Sequence, residues 1–343
     1  MTTLWFGIVA AMFAMYAVFD GFDIGVGIVY LLVARTDEDR RTLLRSIGPV
    51  WDGNEVWLIA GGGVLFFAFP AAYASGFSGF YLPLMMVLWL LILRGIAVEF
   101  RDRIVSLVWA PFWDVVFAGA SVLLALFFGV ALGNVLRGVP LDKDGNFFLP
   151  LWTNFLLRPT PGILDWFTIT LGVASVAVLG MHGAAWAAMK SDGPLKARAR
   201  AVSNSLWVAV AVLTGILLTL APLILPHVGL RYALHPLAVV FPLLAVASLV
   251  GVRLMTRAAR DVAAFLCSCG YILAMFAAAA FGQYPRLLPA ISVAQPGLTI
   301  FDASTSESGL AIALYWFIPG MILAGAYFVF AYRSAFAETP FEK

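Results

Sequence analysis

Charge is scarce in this sequence. Asp, Glu, Lys and Arg make up 12% of its 343 residues, about half the share of a soluble domain. Cysteine and histidine are scarcer still, at two and three copies. Cys267 and Cys269 lie two residues apart in an apolar run. On a helix they point in widely different directions, which argues against a disulfide or a metal clip and makes them small packing residues. A net charge of +2 supplies no polybasic arm and no case for nucleic-acid binding. There is no Walker loop, no GxGxxG between strand and helix, no HExxH and no CxxC. Nucleotide, zinc-protease and redox-thiol chemistry therefore have no support, and no metal site is expected. The N-terminal stretch lacks a basic leader region and stays apolar for roughly thirty residues, so it reads as a retained first membrane helix.

What the chain has is apolar length. Hydrophobic residues reach 62% and the mean hydropathy is +0.96. A bilayer core needs about twenty apolar residues per helix. Nine segments qualify: 4–33, 50–70, 77–99, 111–133, 162–189, 204–225, 233–255, 259–281 and 309–332. The expected fold is one all-α polytopic membrane domain over 1–343. Its helices form two four-helix bundles plus one, with a possible pseudo-repeat between 1–133 and 162–281 and a final helix at 309–332. Most connections are short. Two longer ones, 134–161 and 282–308, are rich in Pro, Gly and aromatics and read as ordered caps on the membrane surface. With nine spans, five of the 21 Lys and Arg residues fall on the N-terminal side and sixteen on the other. The positive-inside rule then places the N-terminus outside and the C-terminus in the cytoplasm.

The informative residues are those a membrane helix avoids. FDGFDIGVG carries Asp20 and Asp23 three apart, hence on one face. WDGNEVWL places Asp52 and Glu55 likewise, and the third segment carries Arg94 and Glu99. At about 1.5 Å per residue, all six groups are expected to converge in the cytoplasmic third of the bilayer. One arginine cannot pair with five carboxylates, so some acids must be protonated, hydrated or paired elsewhere. Such acids suit a proton pathway. The structural alternative has Asp20 capping a helix break at Gly21, Arg94 pairing with Glu99 or Asp23, and Asp52 serving as an N-cap.

His182 lies deep in segment five and is the one histidine placed to ligate a haem. The reading preferred for it is packing or hydrogen bonding, because a single intramembrane His is too few for several haems. His227 and His235 fall at the outer interface in a Pro-rich turn. Asp302, Ser304 and Ser306 are N-cap types before segment nine, with Glu307 in its first turn, and Asp165 does the same for segment five.

Several blocks then occur in order: FDGFDIGVG (19–27), SIGPVWDGNEVWLIAGGG (46–63), FSGFY (77–81) and GNVLRGVPLD (133–142). More loosely, LGMHGAAW (179–186) and FDASTSES (301–308) follow. Together they resemble subunit II of cytochrome bd quinol oxidase. The resemblance implies a heterodimer that oxidises quinol, reduces dioxygen to water and draws protons from the cytoplasm of a bacterium, across its inner membrane. It implies haem b and haem d in the complex, carried by the partner subunit I and not ligated by this chain. It leaves room for a bound structural quinone and for small single-helix accessory subunits. It makes Asp52 the acidic member of the proton route, joined here by Glu55 at a position often Gln, with Asp20 and Asp23 nearby. Asn54, Trp57, Arg94, Glu99 and His182 are its supporting residues. Trp57 corresponds to a tryptophan near an oxygen-accessible channel in some members, although a plain core or interfacial aromatic is the simpler reading. Two other classes stay open on the residues alone. One is an ion-coupled transporter, which also uses glycine-broken acidic helices. The other is a pure scaffold whose acids only fix helix positions.

Overall fold

The computed structural model describes residues 1–157, 160–291 and 297–337. Arg158 and Lys343, both counted in the charge asymmetry, lie outside them, as do parts of the two long connections. The described residues form twelve α-helices: α1 Thr2–Val33, α2 Asp37–Ile47, α3 Trp51–Ala68, α4 Pro70–Gly79, α5 Tyr81–Phe100, α6 Trp109–Arg137, α7 Trp166–Lys190, α8 Gly193–Ile224, α9 Pro226–Leu234, α10 Val240–Arg257, α11 Asp261–Gln283 and α12 Glu307–Ala337. The chain is an all-α, multi-pass membrane protein. Eight of these helices, one of them extended by the 3-10 turn before α10, are long and apolar enough to cross a membrane. The ninth expected span, α3, is 18 residues long with Asp52, Asn54 and Glu55 in its first turns, and those polar residues dilute its apolar character.

α1 is the hub, packed against α3, α6, α7, α8 and α11. It is one unbroken helix, so the break at Gly21 that the structural alternative offered does not occur. The glycines of FDGFDIGVG instead permit close approach. A Cβ on Gly25 would lie 2.1 Å from the Leu179 carbonyl oxygen and 2.7 Å from the Gly183 nitrogen of α7. One on Gly27 would lie 2.0 Å from Ser121 Oγ of α6. In lipid, where apolar burial drives little association, such small-residue contacts hold helices together.

Two elements expected as loops are helical. α2 starts from a capping box in which the Thr36 hydroxyl accepts from Asp39 and the Asp39 carboxylate returns the bond. α4 follows a break at Phe69 and starts at Pro70, whose missing N–H costs nothing in a first turn. Asp165 caps α7 by accepting from Phe167 and Thr168 at 2.8 and 3.0 Å. Ser306 Oγ accepts from Gly309 at 3.2 Å at the start of α12. Opposite the basic end, the two long connections are tied together. Strand β1 Arg286–Leu288 pairs antiparallel with β2 Leu298–Thr299, and Val139 bridges to Ala290.

Candidate functional site

Arg94 of α5 stands at the centre of a buried polar group between α1, α3 and α5. Its Nη1 donates to Asp20 Oδ1 at 2.6 Å, and its Nη2 donates to Glu55. Asp23, one turn on from Asp20, accepts from Asn54 Nδ2 at 2.7 Å. The same amide reaches the Phe19 carbonyl at 3.3 Å. Asp20, Asp23 and Arg94 are each 1% exposed or less, while the Glu55 side chain is 23% exposed. The helical spacing explains the assembly. Asp20 and Asp23 lie on one face of α1 and turn toward α3 and α5, while Gly21 and Gly25 on another face turn toward α7.

Of the six ionisable groups expected to converge, four do. Glu99 is half exposed and pairs with Arg103 at 3.8 Å. It sits in the last turn of α5, where water is available and burial is not needed. Asp52 is exposed in the first turn of α3 and makes no side-chain cap bond. Arg94 pairs with Asp20 and Glu55, not with Glu99 or Asp23. Three carboxylates thus lie around one guanidinium, which bonds two of them. Fully ionised, the group would carry two uncompensated negative charges in a place where each costs about 3 kcal/mol on insertion scales. Among the described residues, Asp20 Oδ2 and Asp23 Oδ1 make no hydrogen bond of ordinary geometry, and the Tyr16 hydroxyl, one turn before Asp20, lies beside the Asp20 carboxyl. Buried oxygens left over in this way suit acids that hold and pass protons.

An aromatic wall closes the site on one side. Phe19 stacks on Trp57 at 5.9 Å between centroids, and Phe328 of α12 packs on both at 5.3 and 5.4 Å. Tyr332 of α12 donates from its hydroxyl to Asn54 Oδ1 at 2.9 Å. Sequence reasoning missed Tyr332, because a tyrosine near a helix end reads as an interfacial anchor.

His182 is fully buried on α7. Its Nε2 lies 3.0 Å from the Val18 carbonyl and its Nδ1 2.7 Å from Ser268 Oγ. With both ring nitrogens engaged it ties α1, α7 and α11 together and does not fit a haem axial ligand. His227 bonds Gln283, and His235 accepts from Arg231, both at the opposite end.

A second ionic knot lies at the basic end and went unread. Arg101, 2% exposed, donates to Asp114 Oδ1 of α6 and Asp37 Oδ1 of α2, each at 2.6 Å. Arg40 and Tyr30 also donate to Asp114, at 2.8 and 2.9 Å. The knot clamps α2 across the ends of α1, α5 and α6. The hydrogen bonds from Arg101 and Arg41 hold the Asp37 carboxyl below the usual carboxylate range. A depressed folded pKa adds stability above the unfolded value near 3.9, lost as pH falls through the folded value. The protection factors of the α2 amides, corrected for the intrinsic exchange rate, should therefore fall below about pH 4. The change should stay within about 1 kcal/mol, because Asp37 is largely exposed and solvent screens it. Protection factors that are flat down to about pH 2 would remove Asp37 from the clamp.

Comparison with known proteins places these features. The family model described as cytochrome bd terminal oxidase subunit II matches residues 1–335. A Haemophilus influenzae protein named probable cytochrome oxidase subunit 2 is 32% identical, over 98% of this chain and 94% of its own. The Escherichia coli K12 cytochrome bd-I ubiquinol oxidase subunit 2 is 30% identical, over 90% and 87%. In fold, the chain is similar to one from a structure of the bd oxidase of Geobacillus thermodenitrificans, with a TM-score of 0.73 at 18% identity and 97% of each chain covered.

Proposed function

This chain belongs to the cytochrome bd terminal oxidase subunit II family, and from that premise we propose that it is the haem-free scaffold and proton-uptake subunit of a quinol:dioxygen oxidoreductase. The complex would sit in a bacterial inner membrane, with the basic end of this chain in the cytoplasm. Haem b and haem d, quinol oxidation and dioxygen reduction belong to the partner subunit in this reading. The engagement of both His182 ring nitrogens supports that division.

The observation that carries the proton role is the trio of carboxylates around one arginine, two of them fully buried, with two carboxylate oxygens left over. Asp52 lies at the cytoplasmic mouth and Glu55 one turn deeper, partly in contact with water. Asp20 and Asp23 form the inner stage. Protons consumed in making water would be taken up here, while quinol oxidation releases protons on the far side, so turnover separates charge.

The test is Asp23→Asn in the complex with its partner, assayed by quinol-driven oxygen consumption. The substitution keeps the shape of the side chain and removes its titratable group. Turnover should fall about 100-fold, the scale of a lost proton-transfer group, while the haem spectrum and subunit ratio stay normal. Unchanged turnover in an assembled complex would remove Asp23 from the route. A complex that fails to form would instead favour a scaffold role for the acids.

A further inference from the structure

Two acceptors, Asp23 Oδ2 and the Phe19 carbonyl, fix which way round the Asn54 amide sits, with its NH2 group toward them. Its Oδ1 is thereby left to accept from the Tyr332 hydroxyl, which anchors the amide from α12. Turned over, the amide would point its oxygen at a carboxylate oxygen and lose both bonds. Asp23 Oδ2 is therefore held as an acceptor, and Oδ1 is left as the open oxygen. The other ties of α12 at this level are aromatic, from Phe328 and Tyr332 to Phe19 at 5.3 and 5.7 Å. Between the start of α3 and α12 lies a small pocket whose polar wall is Asn54 and Tyr332, closed by Pro49, Gly53 and Tyr327.

We propose that Tyr332 is a positioning residue for proton uptake. Through Asn54 it holds the Asp23 carboxyl with Oδ1 open to receive a proton, and α12 forms the outer wall of the access from the basic end. The inference rests on the proton-route reading above. The groups facing Asp23 are Asp20 of α1, Glu55 of α3 and Arg94 of α5. The Tyr332 hydroxyl also has Asp20 and Cys269 of α11 within electrostatic range. Tyr332 acts on the reaction through Asn54 and needs no proton of its own to leave.

The experiment compares Tyr332→Phe with the unmodified oxidase complex by quinol-driven oxygen consumption across pH. The ring and its packing stay, and one hydroxyl goes. Turnover at neutral pH should fall about threefold to tenfold, the worth of one hydrogen bond, with the KM for quinol unchanged. The deficit should shrink as the medium is acidified, because a higher proton concentration offsets slower delivery. A structural role would instead lower turnover equally at every pH or reduce haem content. A Tyr332→Phe complex with the unmodified turnover at every pH, beside an inactive Asp23→Asn complex, overturns this inference and leaves the proton route standing. Full turnover in Asp23→Asn overturns the route itself. Should Tyr332→Phe fail to assemble, Asn54→Ser removes the amide on which it acts. An acid-relieved deficit there supports the proposal, and a pH profile like that of the unmodified complex overturns it.

Discussion

Replacing Arg94 with leucine is expected to cost about 3–5 kcal/mol, the price of leaving a buried charge without its partner, and to abolish recovery of the assembled complex. Among the described residues, Arg94 is the single cation within bonding distance of Asp20 and Glu55. Without it, both carboxyls must take up protons or remain ionised in a low-dielectric setting. The test lies in the double variant. Arg94→Leu with Asp20→Asn removes the cation and one acid together, and should recover much of the yield lost by Arg94→Leu alone. Strictly additive losses would show that the two do not act as a pair. Haem content per unit of membrane protein reads the outcome.

The second large effect is expected at Gly25. Gly25→Ala places a methyl group 2.1 Å from the backbone oxygen of Leu179. No rotamer relieves that contact, because both sides are backbone. The converse, Gly183→Ala, meets the Gly25 carbonyl carbon at 2.0 Å. Overpacking of side chains costs about 1–3 kcal/mol, and a clash between two helix backbones belongs at or above the top of that range. The thermal midpoint of the purified complex should fall steeply. Gly119→Ala on α6, whose added methyl group meets nothing within 4 Å, should show no loss. Equal midpoints for the Gly25 and Gly119 variants would mean that α1 and α7 do not cross where the glycines place them.

Much of this site could be read in the sequence because ionisable groups are costly in lipid. Asp20, Asp23, Glu55 and Arg94 stood out for that reason alone. Depth arithmetic put Asp52 and Glu99 at the segment ends, and both are exposed there, since a residue within a turn of the interface can reach water whatever its neighbours do. The glycines of FDGFDIGVG left two readings open for a different reason. A glycine in a helix marks either a break or a close contact, and only the position of α7 decides between them. Tyr332 and the Arg101–Asp114 knot escaped because their partners lie far off in sequence and each residue, taken alone, looks like an ordinary interfacial side chain. By length and composition eight helices qualify as spans beside the nine segments read from the sequence, because the polar start of α3 makes that helix too mixed.

The order of the chain gives the arginine cluster a history. Asp20 and its partner Arg94 are 74 residues apart, so at about 5–20 residues per second the ribosome makes them about 4–15 seconds apart. During that interval α1 is present while the guanidinium that neutralises Asp20 has yet to be synthesised. A newborn α1 that enters lipid in this window carries Asp20 without its cation. The arrival of α5 then supplies the guanidinium and closes the cluster. On this view the arginine cluster is completed after its first acids are already made, and its assembly is a late step in the birth of the subunit.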